Sequence, residues 1–156
     1  MFCCCYASPL GPLLLTCEAD GLTGIWMNRE IPESVSEHPV LEQTRQWLDA
    51  YFLGQELPRQ MPLRLYGTDF QKAVWQILLT IPYGQVRTYG SIAREMAEHL
   101  GKEKMSAQAV GQAVGKNPIS ILIPCHRVIG SKGQLTGYAG GLDKKVWLLK
   151  HEAGKP

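Results

Sequence analysis

Long apolar runs and a basic leader segment are missing from this chain of 156 residues, of which 19% are charged. The apolar run at residues 13–15 is short, and Pro9, Gly11 and Pro12 interrupt the stretch before it. A membrane-spanning helix needs about 20 apolar residues, and a secretory signal begins with basic ones. We therefore expect neither membrane insertion nor a targeting segment.

A paired cysteine framework is missing as well. Cys3, Cys4, Cys5 and Cys17 crowd the N-terminus, whereas Cys125 stands alone. An odd count with three consecutive thiols does not suit paired disulfides, so a reducing compartment is expected.

The net charge of +2 is small, but the charges are unevenly distributed along the chain. Residues 1–66 contain four basic and eight acidic side chains, whereas residues 67–156 contain twelve basic and six acidic ones. The first part therefore carries −4 and the second part +6. A polyanionic partner is expected to bind the second part.

The first part has the pattern of a small antiparallel sheet followed by one helix. Three apolar runs separated by turn residues predict strands at Phe2–Tyr6, Leu13–Thr16 and Leu22–Met27. Apolar residues three and four apart predict an amphipathic helix over Val40–Phe52. Because a proline-containing linker follows near residues 58–62, we place one domain at 1–64 and a second at 65–156.

The second part contains three helical patterns before Cys125. Thr68 and Gln71 match a capping box at the start of a helix that ends near Leu78. Two short helices are predicted at Tyr89–Leu100 and Ser106–Val114. In the basic half of a protein such a pair suggests a DNA-binding helix-turn-helix, although many helix pairs only pack against each other.

The remaining segments are assigned by the same rules. Ile119–Ile123 predicts a buried extended run, and Val128–Ile129 with Leu135–Thr136 predicts a hairpin. A last helix is expected over Leu142–Glu152. Its core-facing residues are predicted to be Leu142, Val146, Leu149 and Trp147.

The residues beside Cys125 suggest chemistry rather than packing. A cysteine after a buried run is usually an inert core thiol, but His126 is placed to accept its proton and Arg127 to favour the thiolate. Glu152 is either the acid that orients the imidazole or a solvated carboxylate at a helix end. Spacing alone leaves a protease, an acyltransferase and an alkyl acceptor open.

Three runs carry a specific resemblance: Asn-Pro-Ile-Ser-Ile-Leu-Ile-Pro-Cys-His-Arg-Val-Ile at 117–129, Gly-Tyr-Ala-Gly-Gly-Leu at 137–142, and Lys-Val-Trp-Leu-Leu-Lys-His-Glu at 145–152. Ile-Pro-Tyr-Gly-Gln-Val at 81–86 and Thr-Tyr-Gly at 88–90 extend it upstream. These runs closely resemble O6-alkylguanine-DNA alkyltransferases, also called methylated-DNA–protein-cysteine methyltransferases. The resemblance implies an α+β fold, with a small ribonuclease H-like α/β domain followed by a winged helix-turn-helix-like, mainly α domain.

The resemblance also implies an activity. Members of the family flip the damaged guanine out of the duplex and transfer its O6-alkyl group to a cysteine, once per molecule. It implies no cofactor and no metal, double-stranded DNA containing O6-alkylguanine as the partner, O4-alkylthymine as a further lesion, and a monomer. We expect a cytoplasmic protein, associated with the nucleoid or located in the nucleus where the host has one.

Site residues are carried over position by position. The implied catalytic set is the nucleophile Cys125, the water-mediated base His126, Glu152 holding the imidazole, the hinge Asn117, the proton-delivering Tyr89, and Lys145 nearby. The implied substrate-binding set is the carbonyls of Cys125 and Val128 for the exocyclic amine, Tyr138 as a wall, Ser131 and the Ala139 backbone near O6, and Val114.

The implied DNA-binding set lies on the helix pair and includes one departure from the family. Seventeen residues before Cys125 the family usually has an arginine that fills the space of the flipped base, and this chain has Gln108. A glutamine can hydrogen-bond the orphaned cytosine but carries no charge. We therefore expect slower extrusion than in a Gln108→Arg variant. The full predicted set is Gln108, Ala107, Gln112, Arg94, Lys104 and Lys116.

Two alternative functions and one possible metal ligand remain to be considered. A non-catalytic lesion sensor of the alkyltransferase-like type would share the helix pair but lacks the nucleophilic cysteine. A cysteine hydrolase would need an oxyanion site, which no pattern suggests. Cys17 lies where some family members have a zinc ligand, but no histidine follows closely, so small structural thiols are the preferred interpretation.

Overall fold

The computed structural model describes residues 1–154, so the last two residues of the predicted 65–156 domain lie outside the described part. The chain divides into two compact units. The first contains residues 1–66 together with 118–120, and the second contains residues 67–117 and the chain from residue 121 onward.

The first unit is a three-stranded antiparallel sheet with one helix. Its strands are β1 (Phe2–Ser8), β2 (Gly11–Glu18) and β3 (Gly21–Trp26), in the order β1-β2-β3. The helix α1 (Pro39–Phe52) begins at His38, whose side chain accepts a hydrogen bond from the Val40 amide. The buried face of α1 follows the predicted spacing and comprises Val40, Leu41, Thr44, Trp47, Leu48, Ala50 and Tyr51.

The segment 119–123 is buried as predicted, but the prediction that it is extended was wrong. Residues 120–123 form turns, and Ile121 has a φ of 72°, in the left-handed region. Only residues 118–120 pair with a strand: the Ile25 amide donates to the Pro118 carbonyl at 3.1 Å, and Ser120 donates to Ile25 at 3.2 Å. The tight turn leaves no continuous ladder for residues 121–123.

The second unit consists mainly of helices. These are α2 (Asp69–Leu78), α3 (Tyr89–His99), α4 (Ala107–Gly115) and α5 (Leu142–Glu152), with a 3₁₀ turn at Cys125–Arg127. The capping box at the start of α2 is present in both directions between Thr68 and Gln71. None of the described helices has the length and apolar character needed to cross a membrane.

Helices α3 and α4 form the predicted helix-turn-helix, connected by residues 100–106. The Ser106 side chain caps α4 by accepting from the amides of Gln108 and Ala109. The indole Nε1 of Trp75 donates to the Ala113 carbonyl at 2.9 Å and anchors α4 to α2. The position of α4 is therefore set by a buried hydrogen bond as well as by apolar packing.

The predicted hairpin after Val128 does not form. Instead β5 (Val128–Ile129) pairs in parallel with β4 (Arg87–Thr88), and residues 134–138 form no strand. Gly130 donates to the Gln134 carbonyl at 2.9 Å, which closes a local turn. The segment after this turn is held by a lysine side chain rather than by a ladder, as described below.

The buried face of α5 also differs from its prediction. The buried residues are Lys145, Leu148 and Glu152, whereas Leu142 is 46% exposed. Val146, Trp147 and Leu149 are half-buried. Two ionisable residues therefore occupy the inward face of this helix, which hydrophobic periodicity cannot predict.

Candidate active site

Cys125 begins the 3₁₀ turn directly after Pro124, and it is 6% exposed. Its amide donates to the Ile123 carbonyl at 2.7 Å, and the Asn117 side-chain amide donates to the same carbonyl at 2.7 Å. Asn117 follows the end of α4, so its side chain connects the helix pair to the turn that carries the thiol. This is the position that the resemblance gave to a hinge residue.

The surroundings of the Cys125 thiol favour its neutral form. Burial raises the pKa of the Cys125 thiol, and the opposing effects of the Asn117 side chain, the Lys145 charge and the Tyr138 side chain do not cancel this increase. Removing this proton therefore requires an acceptor at the site.

His126 lies in the same turn and contacts the end of α5. Its Nε2 is 2.5 Å from Oε2 of Glu152, and both side chains are almost completely buried. Because an ionised carboxylate only accepts, Nε2 carries the proton and Nδ1 has the lone pair. Within residues 1–154 the buried Nδ1 has no hydrogen-bond partner. Burial lowers the pKa of His126 against the opposing effect of Glu152, which favours the neutral imidazole.

Arg127 does not direct its charge at the thiol, contrary to the prediction from its position. Its Nε and Nη2 donate to the two oxygens of Glu152 at 2.7 and 3.0 Å, and Nη1 donates to the Ile81 carbonyl at 2.7 Å. The cation that lowers the pKa of Cys125 is Lys145. Arg127 is oriented by a carboxylate that lies 25 residues away in sequence.

The carboxylate of Glu152 is thus shared among three groups. Besides Arg127 and His126, it accepts a hydrogen bond from the Gly84 amide at 3.1 Å. Gly84 has a φ of 80°, a conformation that glycine adopts without strain. Residue spacing gave no sign of these contacts to Arg127 and Gly84. The only hint in the sequence was Arg127, a charged residue close to the apolar residues 121–123 and 128–129.

Lys145 is completely buried on α5 and connects two segments beside the thiol. Its Nζ donates to the carbonyls of Val128 at 2.8 Å and Thr136 at 3.0 Å. Burial lowers the pKa of Lys145, and the nearby Cys125 opposes this change. The Thr136 hydroxyl donates to the Tyr89 hydroxyl at 3.2 Å, so Tyr89 and Lys145 meet around Thr136.

An open cavity of about 750 Å³ lies between α4, the start of α3 and the loop after β5. Tyr138, which also lowers the pKa of the Cys125 thiol, lines this cavity. The predicted residues that line it are Tyr89, Ala107, Gln108, Gln112, Ser131, Tyr138 and Ala139. Val114 and Val128 are buried instead, and the Val128 carbonyl already accepts from Lys145.

The predicted basic contacts lie around this cavity rather than in it. Arg94 and Lys104 are exposed and line a neighbouring cavity of about 460 Å³ that also includes Lys102 and adjoins the first at Ala107. Lys116 is exposed at the C-terminal cap of α4. Basic side chains therefore flank α4 at both of its ends.

The N-terminal cysteines form no recognisable metal site. All five cysteines are free thiols, and Cys4 and Cys17 are buried in the sheet. Among the described residues, no group of three or more histidine, cysteine, aspartate or glutamate side chains is arranged to hold a metal ion.

Comparisons with known proteins follow the same division of the chain. Residues 1–65 match the ribonuclease-like domain of 6-O-methylguanine DNA methyltransferase, and residues 69–154 match its DNA binding domain. A methylated-DNA–protein-cysteine methyltransferase of Methanosarcina acetivorans is 44% identical, covering 97% of this chain and 98% of the relative. A methylated-DNA–protein-cysteine methyltransferase of Mycobacterium leprae is 45% identical, covering 93% of this chain and 88% of the relative.

A solved structure has the same fold. The crystal structure of Mycobacterium tuberculosis OGT in complex with DNA superposes with a TM-score of 0.82 at 42% identity, covering 96% of this chain and 91% of that one. The two family matches together account for nearly the whole sequence. This chain therefore belongs to the 6-O-methylguanine DNA methyltransferase family.

Proposed function

We propose that this protein repairs DNA by direct reversal, transferring the alkyl group of O6-alkylguanine irreversibly to Cys125. The observation that carries the proposal is the buried Cys125 thiol, which directly precedes His126, the partner of Glu152, and whose pKa is lowered by Tyr138 on the wall of an open cavity. The family membership and the relatives' activity point to the same reaction.

The proposed reaction is one displacement at the alkyl carbon. The Cys125 proton passes to Nδ1 of His126, directly or through a water, and the sulfur attacks the carbon in line with the departing oxygen. The S–C bond forms as the C–O6 bond breaks, and its electron pair stays with the guanine, which takes up a proton. The product thioether is stable, so each molecule acts once and needs no cofactor.

The base must leave the duplex for this geometry, because O6 lies inside the base stack and the thiol is buried. We assign the cavity to the flipped guanine, with Tyr138 as a wall and Ser131 and the Ala139 backbone near O6. Tyr89 is assigned to proton delivery to the leaving guanine. The Val128 carbonyl retains a lone pair for the exocyclic amine while Lys145 occupies the other.

The proposed partner is double-stranded DNA that contains the lesion. We propose that the protein binds this DNA as a monomer. Arg94, Lys104 and Lys116 are assigned to phosphate contacts, which makes the binding sequence-independent and sensitive to salt. The relative from Mycobacterium tuberculosis was solved in complex with DNA, which supports this assignment. O4-alkylthymine is proposed as a further substrate.

Intact mass spectrometry after mixing with an oligonucleotide duplex containing O6-methylguanine tests the reaction. We expect a gain of one methyl group that maps to Cys125, is absent in Cys125→Ser and is retained in the matched control Cys5→Ser. Lesion binding without any mass gain would instead identify a non-catalytic sensor. A gain that maps to the N-terminal cysteines would contradict the assignment of Cys125.

A further inference from the structure

Thr136 lies in the loop after β5 and contacts two residues near the thiol through two different atoms. Its main-chain carbonyl accepts a hydrogen bond from Nζ of Lys145 at 3.0 Å, and its hydroxyl donates to the Tyr89 hydroxyl at 3.2 Å. Thr136 is exposed and lines the open cavity. It therefore connects Lys145 to Tyr89 at the wall of this cavity.

The ring of Tyr89 is positioned by contacts other than the one with Thr136. Tyr89 is the first residue of α3, and a Cβ added at Gly111 would meet its ring at 3.8 Å, so the ring lies against the backbone of α4. Nζ of Lys145 lies 6.0 Å from the centre of the same ring. These contacts position the ring, but they do not set the direction of the phenolic O–H. That direction depends on the hydrogen bonds of the phenolic oxygen.

The hydrogen bond from Thr136 makes the Tyr89 hydroxyl a better proton donor. A tyrosine hydroxyl has one hydrogen to donate and can also accept. Because it accepts from Thr136, its own hydrogen is available for a second partner in the cavity. The two hydrogen bonds polarise each other, which strengthens the donation. If the proton leaves, the developing phenolate keeps the hydrogen bond from the Thr136 hydroxyl.

We propose that Thr136 is a positioning residue for methyl transfer, whose hydroxyl orients and polarises the Tyr89 hydroxyl toward the leaving guanine. This inference rests on the proposed function, in which Tyr89 delivers a proton to that guanine. As the C–O6 bond breaks, its electron pair stays with the guanine and the Tyr89 proton moves to the guanine. Thr136 keeps its own proton, and the Tyr89 phenolate then regains a proton from solvent. In this role Thr136 acts only through Tyr89.

Single-turnover methyl transfer at saturating protein tests this role, with a duplex containing O6-methylguanine. Thr136→Val removes the hydroxyl but keeps the carbonyl that binds Lys145, and we expect roughly tenfold slower transfer. Thr136→Ser retains a hydroxyl and should stay within about twofold of the wild-type rate. The matched control is Thr80→Val, which removes another exposed threonine hydroxyl, bonded to the Ile77 carbonyl at 2.6 Å, and should keep the wild-type rate.

Two further measurements separate this role from a merely structural one. Tyr89→Phe removes the proposed proton donor, so adding Thr136→Val to it should slow transfer by no more than about twofold. Alkylation of Cys125 by iodoacetamide needs no proton on its leaving group, because iodide departs as an anion. Thr136→Val should therefore react with iodoacetamide at the wild-type rate across pH.

Three results would overturn the inference: wild-type methyl transfer in Thr136→Val, independent penalties that multiply in the double variant, or an equal loss of rate with iodoacetamide. A wild-type rate in Tyr89→Phe would overturn it as well, together with the assignment of Tyr89 to proton delivery. A wild-type protein that transfers no methyl group would instead contradict the proposed function.

Discussion

Glu152 and Arg127 form a two-point ion pair in the interior of the second unit, with N–O distances of 2.7 and 3.0 Å. Their side chains are only 1% and 9% exposed. The same carboxylate holds the imidazole of His126. The stability of this unit and the orientation of the proposed base therefore depend on one shared carboxylate.

Replacing Arg127 by methionine should destabilise the protein by about 3–5 kcal/mol, because it leaves Glu152 buried without its cation. Chemical denaturation measures the loss. The control is Arg87→Met, which removes the 2.8 Å pair with the half-exposed Glu95 and should cost under about 1 kcal/mol. Equal losses of stability in the two variants would contradict a larger contribution of the buried ion pair to the free energy of unfolding.

Stability should depend on the protonation of His126. Burial lowers the pKa of His126 in the folded protein, so the unfolded chain binds this proton more tightly. This contribution to the free energy of unfolding is complete above the ordinary histidine pKa of about 6.5. It is lost as the pH falls through the lower pKa that His126 has in the folded protein.

Denaturation midpoints measured between about pH 7 and pH 5 test this dependence. His126→Asn should flatten the decline in that window, whereas His99→Asn, at an exposed position, should keep it. An unchanged slope in His126→Asn would assign the acid sensitivity to other groups.

Replacing Lys145 by methionine should make Cys125 less reactive. The positive charge of Lys145 lowers the pKa of the Cys125 thiol and so opposes the effect of burial. Removing this charge should therefore raise the pKa of the thiol further. The buried Val128 carbonyl also loses its donor, which destabilises the protein by about 1–3 kcal/mol. Alkylation of Cys125 by iodoacetamide, followed by mass spectrometry across pH, should show a reaction that begins at higher pH. Lys150→Met, at an exposed position on the same helix, is the control.

The capping box should contribute measurably to the second unit. Thr68→Ala removes the acceptor for the Gln71 amide and should cost about 1 kcal/mol. Thr68→Ser retains the hydroxyl and should restore most of that stability. Equal denaturation midpoints for all three proteins would mean that the α2 terminus is held by packing alone.

Local patterns predicted most elements of this fold correctly. The β1–β2–β3 meander, α1 and the capped start of α2 depend on alternation, periodicity and turn residues, which act over a few positions. The predictions that failed involve residues whose partners are distant in sequence. Ile121 takes a left-handed conformation within a buried turn, and the predicted hairpin after Val128 is replaced by a parallel pairing with β4.

The candidate site divides in the same way. Cys125 and His126 are adjacent in sequence, so the proposal that the imidazole accepts the thiol proton could be made from chemistry and from a family resemblance. That Glu152 contacts His126 could not be read from spacing, and neither could the capture of Arg127 by that carboxylate. The role of Lys145 as the cation near the thiol depends on a buried face of α5 that contradicts hydrophobic periodicity.

The sequence by itself determined the division into an acidic and a basic part, the strands and helix of the first part, the helices of the second, and the proposal of Cys125 as the reactive thiol. The charge division and the secondary structure follow from residue types and short-range spacing, and the proposal of Cys125 follows from its neighbours and the family resemblance. Only the tertiary structure decided which charges meet, because burial makes ion pairing and desolvation depend on neighbours 25 to 68 residues away. It also placed Gln108 and Gln112 on the wall of one cavity, because helix packing determines which face of α4 remains open.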